Sequence, residues 1–162
     1  MESTQFKNLL IKTAFSCMAS DGHIDEREIQ IIQSLCEKSH FFDDINYKHE
    51  LQQQVQELNT KGKEFINEFL TSLENVQLSE EQEFTVIDFA IKTIQADDEI
   101  HYSEVKFFKV IKSKLHLSKQ QILEKFPGIE DFLEDDIITE NHVFELLKES
   151  FDKLGELNIS IQ

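Results

Sequence analysis

At 162 residues the chain is long enough for one domain with a real core and too short for several. Its 32 acidic residues outnumber 16 basic ones, and the net charge of −16 repels nucleic-acid phosphates and anionic lipid head groups while attracting cations and basic partners. With no basic-then-apolar leader at Met1 to Gln5 and no apolar run near the ~20 residues of a membrane span, the expectation is a cytoplasmic protein that binds no nucleic acid and enters no membrane.

One Pro and four Gly in the whole chain, and no alternating run of strand length before the tail, predict an all-α protein. A first helix over about residues 4–19 follows from Phe6, Leu9, Leu10, Thr13, Ala14, Cys17 and Met18, which recur at three- and four-residue spacing. Asp21-Gly22 ends it. Asp25 is the N-cap of a second helix, with Glu28 as its capping-box partner and Ile29, Ile32, Leu35 and Cys36 as the buried face. Cys17 and Cys36 both fall on apolar faces, which predicts buried reduced thiols rather than a disulfide or a zinc knuckle. After a break at Ser39 to Asp44, Leu51, Val55 and Leu58 make a thin stripe in a Gln-rich helix expected to lie mostly in solvent, and Phe65, Ile66, Phe69, Leu70, Leu73 and Val76 mark a fourth.

Ser79 with Gln82 forms a capping-box signature that opens the most apolar segment, Phe84 to Ile94, expected at the centre. Val105, Phe107, Phe108, Ile111 and Leu115 define the inward face of the next helix. Ser118 with Gln121 caps a short one, and Pro127-Gly128 stops it. Acidic residues between Glu130 and Asp136 surround Ile129, Phe132 and Leu133. A C-terminal helix is predicted over about 139–154 with Val143, Phe144, Leu147, Phe151 and Leu154 as its stripe, followed by a tail over 155–162.

The acidic turn after the first helix occurs twice. Asp97 lies 76 positions after Asp21, and the same shift lays Asp21, His23, Asp25 and Glu28 on Asp97, Glu99, His101 and Glu104 without a gap. The flanking apolar positions follow, Ala14 on Ala90 and Ile29 on Val105 among them. The expected architecture is thus one domain over 1–162, a compact bundle of about eight helices. It contains two helix-turn-helix repeats, at about 4–38 and 79–115, related by a pseudo-twofold.

On these residues the chain resembles the tellurite-resistance TerB-like family. The likeness spans roughly residues 4–125 and rests on the motif Ala19-Ser20-Asp21-Gly22-His23-Ile24-Asp25 with Glu28 and on its second copy at Asp97 to Glu104. The resemblance implies a compact all-helical fold, a divalent-metal site at the paired acidic turns, and a role in stress response or as an interaction module. Carried over by position, Asp21, Asp25 and Glu28 match the first acidic set, and Asp97 and Glu104 the second. Asp98 stands where the family has Gly, and His101 where a second carboxylate is expected.

Read from the residues alone, carboxylates two and four positions apart in a turn can face one hard cation, and an imidazole shifts the preference towards manganese, iron or zinc. The candidate metal set is Asp21, Asp25, Glu28, Asp97, His101 and Glu104. The turn is not an EF-hand, because Glu26 and Ile32 stand where that loop needs Gly and Glu. Asp25 with Glu28 is also a sufficient capping box, and capping alone is the favoured reading of these residues, although both roles are compatible. No P-loop, dinucleotide fingerprint, nucleophile elbow or zinc-protease motif is present. The expectation is a non-enzymatic module that binds a partner protein, with a divalent cation of unassigned identity as its cofactor. The alternatives are a metal-dependent hydrolase using Asp21, Asp25, Asp97 and His101, or a structural interaction domain without metal.

Overall fold

A computed structural model describes residues 3–21, 24–39, 47–96 and 102–133, and among these every regular element is helical. The expected all-α bundle is what the chain forms. Eight α-helices follow in order: α1 Ser3–Met18, α2 Glu26–Lys38, α3 Tyr47–Lys61, α4 Lys63–Asn75, α5 Glu80–Ala96, α6 Tyr102–Lys114, α7 Lys119–Lys125 and α8 Glu130–Leu133. A 3-10 turn, Ala19–Asp21, extends α1. The break over 40–44, Gly22, His23, the stretch 97–101, the predicted C-terminal helix at 139–154 and the tail at 155–162 lie outside the described residues.

The architecture is organised by α1 and α5, which pack against each other more extensively than any other two helices among the described residues. Segment 84–94 is central as expected, with Val86, Ile87, Phe89, Ala90, Ile91 and Ile94 all buried. α1 is more deeply placed than its predicted stripe implies. Ile11, Phe15 and Ser16 are buried as well as the stripe residues, so every position from Thr13 to Ser20 is inside. A helix buried on all sides is surrounded by others, and α1 touches α2, α3, α4, α5 and α6. Ala14 and Ala90, both without exposed surface, keep the girth of each central helix small where large side chains would hold the axes apart.

The outer helices each bury one face. α4 presents Phe65, Ile66, Phe69, Leu70 and Leu73, and its Phe69 ring lies 6.4 Å from that of Phe107 in α6. Phe108, on the next position of α6, meets Phe132 of α8 edge to face at 5.6 Å. Such pairs add about 0.5–1.5 kcal/mol beyond the area they bury. The Gln-rich α3 seals Leu51, Val55 and Leu58 completely or nearly so, and takes Gln54 inside with them. Most of its other residues face outward, as expected.

Turn chemistry sets the joints. Both serine capping boxes predicted from sequence are formed: Ser79 and Ser118 each accept from the backbone N–H three residues on at 3.1 Å, and Gln82 and Gln121 accept in return. α3 and α4 are joined by Gly62 alone. Its φ of 56° and ψ of −124° lie outside the regions open to other residues. In that conformation its N–H donates to the Leu58 carbonyl at 2.9 Å and its own carbonyl accepts from Phe65 N–H at 3.1 Å, so one residue ends one helix and starts the next.

Gly62→Ala is expected to destabilise the chain by about 1–3 kcal/mol, the usual cost of forcing a side chain into such a backbone region. Urea unfolding followed by circular dichroism would read this as a lower midpoint at an unchanged slope.

Candidate functional site

The first acidic turn is built on the end of α1. Ser20 donates its hydroxyl to the Cys17 carbonyl at 2.8 Å, which satisfies one of the acceptors left open at a helix C-terminus and draws the chain into the tighter 3-10 turn ending at Asp21. Ile24 is buried and pins the far side of the turn. Asp25 then adopts an extended backbone, φ −104° and ψ 173°, and its Oδ1 accepts from Glu28 N–H at 2.9 Å. This is the predicted N-cap of α2.

Glu28 occupies the third position of α2, and Glu104 the third position of α6. Both are buried, at 8 % and 3 % exposure, and the Oε2 of each is shielded from solvent. The equivalent positions of α5 and α7 are Gln82 and Gln121, which are neutral and only half-buried. Capping therefore does not by itself require a buried charge at this place. The two helices that follow the acidic turns carry one.

The elements also bring the two repeats into contact. α6 packs against the 3-10 turn at Ala19–Asp21, and α2 packs against α5. The carboxylate of Glu104 accordingly lies close enough to Cys17 to act on its thiol. Burial, first, and the Glu104 charge, second, push the Cys17 thiol far above its ordinary range. Cys36 is pushed up to about 12 by burial and then by the charge of Glu37. Both cysteines are buried and free, as the sequence predicted.

Of the candidate metal set, Asp25, Glu28 and Glu104 have the placements just given, and Asp21 closes the 3-10 turn. Asp97 and His101 lie outside the described residues, as does Glu99. Among the described residues no three His, Cys, Asp or Glu side chains form a group able to hold a metal ion. The chemistry of the set, carboxylate oxygens with one imidazole, suits a hard or borderline divalent cation.

One buried carboxylate was not singled out from the sequence. Glu83, at 4 % exposure, accepts from His116 N–H at 2.6 Å and lies 3.2 Å from the His116 Nδ1, across 33 residues of chain. It ties the start of α5 to the connection between α6 and α7. A glutamate in an acidic first turn gives no sequence signal of such a role, because its neighbours Glu80 and Glu81 are exposed.

An all-helical bundle in which two helices, α2 and α6, each carry a buried glutamate at the third position defines the class. The sequence pattern of the family described as Tellurite resistance protein TerB matches residues 7–125, and the chain belongs to that family. No curated protein and no solved structure matches it. No helix among the described residues is long and apolar enough to cross a membrane.

Asp25→Ala is expected to cost about 1 kcal/mol in urea unfolding, while Asp25→Ser, which keeps an acceptor, costs less. The thiols supply a second check. Neither Cys17 nor Cys36 should react with a chromogenic disulfide in the native protein at neutral pH, and both should react in denaturant. For Cys36 the raised native value means the contribution is complete below the ordinary thiol value of 9.0 and is lost as pH rises through about 12. The alkaline loss of stability should therefore be smaller in Cys36→Ala than in the parent.

Proposed function

We propose that this TerB-family chain is a non-enzymatic, cytoplasmic module that binds a partner protein, and that a divalent cation orders its paired acidic turns through Asp21, Asp25, Glu28, Asp97, His101 and Glu104. The observation that supports it is the pair of buried glutamates, Glu28 and Glu104, at matching places after the two turns. Glutamates at matching places after two acidic turns, on a chain already at −16, supply oxygen donors where the field of the protein gathers cations. α6, the helix that carries Glu104, packs against the 3-10 turn that ends at Asp21.

A second reading has its own support. Asp25 already uses Oδ1 to cap α2, and a turn that only caps needs no cation. The two readings differ in solution. Calorimetric titration of the chelator-stripped protein with calcium, magnesium, manganese and zinc should give saturable binding near one equivalent for one of them, with a raised unfolding temperature. The pair Asp21→Asn/Asp97→Asn should abolish both effects. Weak, non-saturating binding that the pair leaves unaltered would reduce the turns to helix caps.

A further inference from the structure

The outward face of α5 near its start carries a groove lined by none of the candidate metal residues. Phe84 and Phe126 meet edge to face with ring centroids 6.4 Å apart, and both are half-buried. They floor an open groove of about 690 Å³ whose walls are Glu80, Glu81, Thr85 and Asp88 on α5 and Lys125 at the end of α7. Positions 81, 84, 85 and 88 share one helix face by their spacing. Asp88 is engaged with Lys92 at 2.8 Å, whereas Glu80 and Glu81 are exposed and have no ion-pair partner among the described residues. The ammonium of Lys125 stands 5.3 Å from the centroid of Phe84, so the groove already holds one cation against its aromatic floor.

We propose that this groove docks a basic segment of a partner protein, with an arginine side chain over Phe84 and against Glu80 and Glu81 and an adjacent apolar side chain on Phe126. With Asp88 paired to Lys92, two carboxylates against the one ammonium of Lys125 still leave the walls negative, which sets the sign of the occupant. The chain's own residues 134–162 are the wrong occupant on that ground, since they carry eight acidic residues and two basic ones. Arginine fits better than lysine because its planar fork stacks on a ring while giving two hydrogen bonds to a carboxylate. Carboxylates in open solvent hold a cation weakly, and an aromatic floor without charge does not select its sign. The two together select a cation beside an apolar group. Phe84 lies about 18 Å along α5 from Ala96, the end of that helix, by the rise of a helix. The inference rests on reading the chain as an interaction module and is independent of metal at the turns.

The test is a titration of the full-length, isotope-labelled protein, in chelating buffer, with a capped peptide alternating arginine and leucine. The expected result is saturable binding with amide and ring shifts concentrated at residues 80–88 and 125–126. Affinity should fall about tenfold in Glu80→Gln/Glu81→Gln, as removing two exposed pairs implies. It should hold in Glu50→Gln/Glu64→Gln, which removes the same charge elsewhere. Equal weakening in both double variants, shifts spread over the whole surface, or shifts centred on the acidic turns would overturn the proposal. So would groove shifts appearing in Phe144→Ser without peptide, because the chain's own C-terminal segment would then be the occupant. Because chelator is present throughout, a failure of the metal reading leaves this result standing, and the reverse also holds.

Discussion

Two helices packed against each other at the centre govern the rest of this structure. α1 is buried on every side from Thr13 onward and α5 buries all but one face between Val86 and Ile94, and a polar group on such a buried face has no water available to it. Thr13 and Thr93 meet that condition by donating to their own backbone, to Leu9 at 2.8 Å and Phe89 at 2.7 Å. Each thus enters the core as a nearly apolar shape. With the central pair fixed, the outer helices need only one apolar face each, and their charged faces, the Lys61 and Glu68 pair at 2.9 Å among them, contribute solubility more than stability.

The same pairing decides where charge ends up inside. Since α6 returns past the end of α1, the carboxylate of Glu104 and the thiol of Cys17 share a low-dielectric neighbourhood. Two acidic groups so placed cannot both ionise cheaply. The buried thiol keeps its proton, which leaves Cys17 an inert core residue. A cysteine in this position is therefore a packing choice, and its chemistry is suppressed first by burial and only second by the carboxylate of Glu104.

Most of the fold was legible because its signals are local. The capping serines, the stripes of α2, α4 and α6 and the stop at Pro127-Gly128 act within a few residues of themselves, and the structure has them where the spacing put them. The stripe of α1 was read as one face because Ile11 and Phe15 fall off its period; only the neighbours on the other side explain their burial. Gln54 and Glu83 were invisible for the opposite reason. Their residue types suggest solvent, and what takes them inside is packing in one case and a backbone N–H 33 residues away in the other. The acidic turns were found by repetition. Repetition locates a site but does not say whether its carboxylates cap, pair or bind, since all three use the same residues at the same spacing.

Overall charge and local selectivity belong to different parts of this surface. A net charge of −16 speeds encounter with any basic molecule without distinguishing among them. Discrimination needs a place where charge adjoins fixed apolar shape, and Glu83 helps to make one. By holding His116 it fixes the connection that leads into Ser118, the cap of α7, and so fixes where α7 ends. Phe126, whose N–H donates to the Ile122 carbonyl at 2.8 Å, is then set against Phe84, the next residue after Glu83. A ring pair held from inside by a buried carboxylate loses little freedom when something docks on it, and that preorganisation is what converts a diffuse negative field into a selective one.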